Sequence, residues 1–403
     1  MEQQEVWIVA AKRTPMGKFQ GALSKMGAPQ LGAIAIGSVV KQSGIALDVI
    51  DEVLMGCVLP AGCGQAPARQ AAIGAGLADN IPCTTVNKVC GSGMKTVMLA
   101  YDMIKSGSIH CALAGGMESM TNAPYLLKES RSGMRMGHKT TFDHMFLDGL
   151  QDAYEGELMG VYGQKVADQL GFTREQMDDW ATRSVERALA AHRQKLFQTE
   201  IIPIDVTDDL ALDYDELPPS IDKEKISKLK AAFAHNGTIT AANSSAISDG
   251  AAALMVIDST AAKKQGLKPL AIIKAHASHA RKPSEFAVAP VYAIQNLLAK
   301  LDWEIEEVDL WEINEAFAVV TQIAIQELLI SPDKVNVKGG ACALGHPIGA
   351  SGARILTTLI YALRQLQSIG VNGDAANRKT MKGIAAICIG GGEATAIGIE
   401  IPL

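Results

Sequence analysis

Cys388 lies near the end of an apolar run, residues 384–389, that meets Gly390, Gly391 and Gly392 before a second strand-like run at 394–399. Three consecutive glycines permit positive φ and let another group approach the backbone closely, which puts this thiol at the edge of a tight turn. Such a thiol does chemistry only beside a partner, and two other segments offer one. Cys90 stands in Val89-Cys90-Gly91-Ser92-Gly93, where a strand feeds a helix. Its sulfur is then expected near the unpaired N–H groups and positive end of that helix, a position that lowers a thiol pKa and supplies anion-stabilising amides. Gly91 and Gly93 open the backbone as an acyl group would need, whereas the alternative is a small buried packing cysteine. His346, in Gly345-His346-Pro347-Ile348-Gly349-Ala350-Ser351-Gly352, also opens a helix. The helix start disfavours imidazolium, so the ring is expected to be a neutral donor or base, or else a satisfied structural histidine. Asn314, in Asn314-Glu315-Ala316-Phe317, suits a helix N-cap equally well as an anchor for a water or an oxyanion. Cys57, Cys63, Cys83, Cys111 and Cys342 read as packing, and Gly91-x-Gly93 lacks the third glycine of a dinucleotide loop.

The elements that must position these residues follow from periodicity. A strand at 6–10, an exposed loop through Arg13-Thr14-Pro15, a helix stopping near Gly44, a strand at 51–57, a helix at 67–76 and a strand at 83–86 lead to Cys90. Met94, Val97, Met98 and Tyr101 then keep helical spacing, and 109–116 resumes as a strand. From 120 to 249 the strand–helix alternation lapses into a long insertion with helices near 163–170 and 174–197. Strand character returns at 250–257. The final third predicts a helix at 291–301, a strand at 309–313, a helix at 317–329, a short strand at 335–337 and a glycine-rich turn into a helix carrying Leu356, Leu359, Ile360 and Leu363. Asp51 and Cys90 recur as Asp309 and His346 at an offset of about 257 residues, so two similar βαβα halves with mostly parallel sheets are expected, their equivalent turns face to face. The implied division is 1–119 completed by 250–269, the insertion at 120–249, and 270–403.

Bulk properties narrow the function classes. The chain has 403 residues, 48% hydrophobic and 20% charged, with formal net charge -6, which fits a folded protein of two cores rather than disorder or a nucleic-acid partner. Lys223, Lys225, Lys228 and Lys230 form a local basic cluster that reads first as a solvated face and second as a contact for an anion. Seven cysteines with no CxxC pair favour reduced thiols in a cytoplasmic setting and no metal site. The acidic Met1-Glu2-Gln3-Gln4-Glu5 start is unlike a signal or transit peptide, and no run reaches the ~18 apolar residues of a membrane span.

Taken together, Val89-Cys90-Gly91-Ser92-Gly93, Asn314-Glu315-Ala316-Phe317, the run from Gly339-Gly340-Ala341-Cys342 through His346 to Gly352, and Cys388-Ile389-Gly390-Gly391-Gly392 resemble the thiolase family. The likeness extends from Arg13-Thr14-Pro15 through Gly115-Gly116-Met117-Glu118-Ser119-Met120 to the end. It implies an α/β fold of duplicated βαβα halves with mixed, mostly parallel sheets in layers, plus the loop insertion. It also implies ping-pong acyl transfer, two acetyl-CoA giving acetoacetyl-CoA and CoA, and the reverse. Cys90 would be the nucleophile, His346 its proton acceptor and Cys388 the second acid/base. The N–H groups of Cys90 and Gly390 would hold one oxyanion, and His346 with a water on Asn314 the other. Ala241 and Ser245 would belong to the pantetheine loop, with Leu150, Met159, Phe233, Phe286 and Phe317 lining the tunnel. No cofactor beyond the coenzyme A thioester substrates is implied. Residues 126–144, with Arg131, Arg135, His138 and Lys139, resemble the loop that pairs dimers into tetramers, so a homotetramer or homodimer is expected. Many short-chain members carry His-Met-Gly where this chain has Leu158-Met159-Gly160. Relatives often place an arginine near the nucleotide where it has Pro218-Pro219-Ser220-Ile221-Asp222. A broader 3-ketoacyl-CoA thiolase is the nearest alternative, and a silent CoA-binding scaffold the alternative of another class.

Overall fold

A computed structural model describes residues 5–207, 210–369 and 380–402. The first part of the chain forms β1 (Val6–Arg13), β2 (Gly17–Lys18), α1 (Ala28–Ser43), β3 (Glu52–Gly56), α2 (Pro67–Gly74), β4 (Cys83–Val86), α3 (Ser92–Lys105) and β5 (Cys111–Ser119). The insertion carries the small ladders β6 (Tyr125–Leu126) with β7 (Phe142–Asp143) and β8 (Ile204–Thr207) with β9 (Leu210–Leu212), and the helices α4 (Met159–Leu170) and α5 (Arg174–Arg193). After it come β10 (Ser248–Asp258), α6 (Ser259–Lys264), β11 (Ala271–Ala280), α7 (Ala289–Leu301), β12 (Leu310–Ile313), α8 (Ala318–Leu328), α9 (Ala341–Leu344), α10 (Ser351–Ile369), β13 (Thr380–Ile389) and β14 (Glu393–Pro402).

Local chemistry explains where helices begin and end. Pro29 sits in the first turn of α1, Gln30 Oε1 accepts the Gly27 N–H at 2.8 Å, and Gly44 ends the helix at φ 64. Thr173 and Gln176 cap α5 reciprocally, at 3.2 Å and 2.8 Å.

The main strands form one mixed sheet in the order β12-β13-β14-β11-β1-β10-β5-β3-β4, with β2 on β10. The run β3-β5-β10-β1 is mirrored by β12-β13-β14-β11, and β1 meets β11 antiparallel where the two runs join. Successive residues of β1 show how layers arise from a period of two. Val6 and Ile8 belong to the cluster that includes Met94 and Val97 of α3 and Leu356 and Leu359 of α10, whereas Trp7 and Val9 join Leu31 and Ala35 of α1 on the other face. Helices α7 and α8 cover the outer face of the second run. The two helices that follow the Cys90 and His346 turns therefore lie together in the middle layer, so those turns meet.

Three expectations need correction. The sheet is mixed, but among the described strands only β3–β4, β3–β5 and β12–β13 pair parallel; the other strand pairings, among them β5–β10, β1–β10, β11–β14 and β13–β14, are antiparallel. Two causes are visible: β10 enters after the long insertion, and β13 returns as β14 through a glycine hairpin with Gly391 and Gly392 at φ 90 and 87. The strand expected at 335–337 is reduced to a single bridge between Val335 and Trp311. Asn336 turns to φ 49, and its side-chain amide accepts from and donates to the Ile313 backbone at 2.8 Å each, taking the place of a continued ladder.

The third correction concerns Arg13-Thr14-Pro15, which is buried rather than exposed. Arg13 is 0% exposed, binds Glu200 at 2.6 Å, and grips Asp215 in a fork at 2.6 and 2.9 Å. The loop is buried because the insertion supplies both carboxylates. Arg13→Met would leave Asp215 without its cation and Glu200 with Lys338 alone, at a cost of about 3–5 kcal/mol. A lowered urea midpoint at unchanged slope is the expected reading, and a wild-type midpoint contradicts it.

Candidate active site

Asn87, Lys88 and Ser92 build the Cys90 turn. Asn87 Oδ1 accepts the Val89 N–H at 2.9 Å, Ser92 Oγ accepts the Lys88 N–H at 2.8 Å and donates to the Val89 carbonyl at 2.6 Å. These bonds hold Val89 at φ 46, a left-handed conformation that a β-branched residue rarely adopts. A Cβ on Gly91 would collide with the Ile389 side chain, so the start of α3 lies directly against the end of β13. Burial pushes the Cys90 thiol up to about 11, against the opposing pull of the Gly390 and Cys90 backbone N–H groups. The expected lowering of this thiol is therefore overturned: the amides are in place, but loss of water outweighs them.

His346 follows Gly345, whose φ of 96 suits glycine, and its N–H donates to the Ala246 carbonyl at 2.9 Å. Its Nδ1 lies 2.5 Å from Ser351 Oγ, which itself donates to the Pro347 carbonyl at 2.9 Å. With the single hydroxyl proton on Pro347, Ser351 Oγ accepts from Nδ1–H. Nε2 is then the unprotonated nitrogen, buried without a protein partner. Burial, followed by the charge of Arg354, pulls this imidazole down to about 3. The neutral ring agrees with expectation, but the cause differs, because α10 starts only at Ser351.

This shift has a stability consequence. The unfolded chain takes up the histidine proton near the ordinary value of 6.5, whereas the folded chain does so only near about 3. Stability thus falls as pH drops through that window, by about 1.4 kcal/mol per pH unit for this group. Glu118, raised by burial to about 7, contributes with the opposite sign between 4.5 and 7. The informative quantity is the difference between wild type and His346→Asn in urea titrations from about pH 6 to about pH 4. Parallel curves would contradict it.

Cys388 pairs with Ala394 across the β13–β14 hairpin, and burial followed by the neighbouring Cys90 pushes its thiol well above the usual range. Cys90, His346, Cys388 and Gly390 line one cavity of about 60 Å³, walled by Leu150, Met159, Ser245, Phe286 and Phe317. A larger cavity of about 200 Å³ shares Leu150, Met159, Ser245, Phe317 and His346 and adds Phe146, Leu158 and Phe233. The Phe317 ring stands edge-on to Phe233 and Phe286, with centroids at 6.0 and 6.1 Å.

Two expected site residues are not on those walls. Ala241 is exposed and lines neither cavity. Asn314 also lines neither, and it is no N-cap, since Phe317 holds that position in α8. Its N–H donates to the Ala386 carbonyl, two residues from Cys388, and both polar atoms of its side-chain amide are buried without protein partners. The Ser245 segment is placed by backbone bonds: Ser245 N–H to the Ala316 carbonyl at 3.0 Å and Ala318 N–H to the Asn243 carbonyl at 2.8 Å. The basic cluster is partly spent on salt bridges, Lys223 with Glu186 and Lys225 with Asp222.

Sequence reasoning gave no role to Ser351 or Glu118. Glu118 is fully buried and accepts from Val58, Leu59 and Gly349 N–H groups at 3.0, 3.1 and 2.8 Å, tying the segment after β3 to the loop after His346. A single carboxylate directly after the apolar residues 111–117 was its available signal.

The sequence and the fold match known proteins over nearly the whole chain. The family models described as "Thiolase, N-terminal domain" and "Thiolase, C-terminal domain" match residues 6–260 and 267–401. "Acetyl-CoA acetyltransferase" of Chromobacterium violaceum is 44% identical over 403 residues, covering 99% of this chain and all of that one. "Acetyl-CoA acetyltransferase 2" of Arabidopsis thaliana is 45% identical over 405 residues, covering 99% and 97%. Acat5 thiolase from Ascaris suum, solved in complex with coenzyme A, superposes with a TM-score of 0.92 at 38% identity, covering 99% of this chain and 100% of that one. The chain belongs to the thiolase family, and it is an acyltransferase. Among its described residues no helix is long and apolar enough to cross a membrane.

Proposed function

We propose that this enzyme condenses two acetyl-CoA into acetoacetyl-CoA and CoA, and catalyses the reverse thiolysis, through an acetyl-Cys90 intermediate. The observation that carries the reading is the shared cavity in which the Cys90 and Cys388 thiols meet the unprotonated face of His346 and the Gly390 N–H. Cys90 Sγ adds to the thioester carbonyl while its proton passes to His346 Nε2, and the C–S bond to CoA then breaks with the proton returning to the leaving sulfur. With the thiol near 11 and the imidazole near 3, the resting pair is neutral, so proton transfer accompanies addition rather than preceding it. The Cys90 and Gly390 N–H groups stabilise the oxygen that becomes negative. In the second half, Cys388 gives its proton to His346 Nε2 and, as the thiolate, takes one from the methyl of another acetyl-CoA, whose carbon attacks the acetyl group; the released Cys90 sulfur takes the proton back from His346. The proton on His346, together with a water held by the unpaired Asn314 amide, stabilises the enolate oxygen. Coenzyme A thioesters are the substrates in this scheme, entering past Ser245, Met159 and Phe317.

Related proposals complete the reading. The division at 1–119 with 250–269, 120–249 and 270–403 assigns coenzyme A binding and assembly to the middle segment. Within it Tyr125, Leu127, Met134 and Met136 are exposed apolar side chains, which supports a homotetramer or homodimer through 126–144. The compartment consistent with seven free cysteines is the cytoplasm, and lipid metabolism is the setting for the product.

A second reading, a broader 3-ketoacyl-CoA thiolase, is favoured by Leu158, which keeps the larger cavity apolar beside Phe146 and Leu150. Intact and peptide mass spectrometry after brief exposure to acetyl-CoA tests the intermediate, with one acetyl group expected on the Cys90 peptide. Thiolysis rates for 3-ketoacyl-CoA substrates of four to ten carbons separate the readings. A sharp preference for four carbons supports the first, and a flat profile the second.

A further inference from the structure

Cys90 and Cys388 come from different halves of the sheet, and something must hold their turns in register. Lys88 precedes Cys90 by two residues; its N–H is fixed on Ser92 Oγ and its carbonyl accepts the Gly91 N–H at 3.1 Å. Glu393 is the first residue of β14 and pairs with Ile389 across the hairpin whose tip is Gly390, Gly391 and Gly392. The Lys88 ammonium and the Glu393 carboxylate form an ion pair that spans the two turns. Among the described residues no other ion pair joins residues 87–93 to 388–393.

We propose that Lys88 and Glu393 are a positioning pair for acyl transfer, latching the glycine hairpin to the Cys90 turn so that the Gly390 N–H faces the sulfur. The proposal rests on the acetyl-Cys90 reading above. Gly391 and Gly392, at φ 90 and 87, give the tip no stiffness of its own. On its far side the tip is held by a bond from Arg281 N–H to the Gly392 carbonyl at 2.8 Å and by close packing of Gly392 on the Arg281 and Lys282 backbone. At Gly390 an added Cβ would make ordinary contacts with the Val89 and Met159 side chains, the nearest at 3.5 Å, so neighbours touch the tip there without clamping it. On the side of the Cys90 turn, the pair adds a charged restraint. Its side chains are 22% and 37% exposed, so losing it changes global stability little. Geometry at the Gly390 amide is less forgiving, since a displacement of about 1 Å near reacting atoms costs up to about a hundredfold in rate.

The test uses the full-length enzyme with Lys88→Met, Glu393→Gln, the conservative Lys88→Arg and the charge reversal K88E/E393K. Acetylation of Cys90 by acetyl-CoA is followed by rapid-quench mass spectrometry, alongside kcat and KM for thiolysis and the melting temperature. Each neutralising variant is expected to slow acetylation and kcat about tenfold, with KM for CoA and the melting temperature near wild type. Lys88→Arg and the reversal should recover most of the rate. Wild-type acetylation rates in both neutralised variants, a reversal as slow as the single variants, or melting temperatures far below wild type would each overturn the positioning role alone. A wild-type enzyme that never acetylates Cys90 would instead overturn the functional reading and this role with it.

Discussion

Cys90→Ser is expected to abolish acetyl transfer while leaving the fold intact. The serine hydroxyl occupies nearly the same volume, and the Val89 turn is held by Asn87 and Ser92 rather than by the sulfur. What changes is the nucleophile. An imidazole held near 3 is a weak base, adequate only because a thiol parts with its proton as sulfur bonds to carbon. A hydroxyl, with a far higher pKa, does not do so against that base. Loss of the attacking atom typically lowers kcat by about 10⁴–10⁶. Mass spectrometry should find no acetyl group at residue 90, and thiolysis of acetoacetyl-CoA should fall to background. Turnover within tenfold of wild type, or an acetyl group carried by another cysteine, would remove Cys90 from the proposed role.

Cys388→Ala separates the two half-reactions. The substitution removes a buried sulfur that faces the cavity without altering Gly390, whose N–H serves the first step. Acetylation of Cys90 should proceed, releasing one CoA per chain, and then stop. Condensation and thiolysis both need the second proton carrier, so both should drop by about 10²–10⁴. The diagnostic result is an acetylated enzyme that accumulates and does not turn over. If acetylation is lost in the same proportion, Cys388 is shaping the pocket rather than moving a proton. If condensation continues, another group carries the proton.

The local order of this chain was legible because strand and helix periodicities are written residue by residue. The strand at 83–86, the helix behind Cys90 and the glycine hairpin after Cys388 appear where their patterns place them. Recurrence of the Asp51 and Cys90 segments near Asp309 and His346 exposed the duplication. Motif residues were legible for a related reason: a cysteine or histidine at a glycine-opened turn is conspicuous in one dimension. Ser351 and Glu118 were not, because a serine in a helix and a carboxylate in a strand acquire meaning only from what they touch.

Sequence alone therefore determined most of the elements, the family and the candidate site residues. The tertiary structure decided their electrostatics. Cys90 was expected to be acidic from its place at a helix start, yet burial raises it, because desolvation depends on how many atoms from distant segments exclude water. The same holds for Arg13, read as an exposed loop until Glu200 and Asp215, 187 and 202 residues away, arrive to bury it. Strand direction across β5–β10 and β13–β14 was likewise fixed by where long connections return, which no local pattern encodes. Periodicity is a property of neighbours along the chain, whereas charge, burial and pairing are properties of neighbours in space.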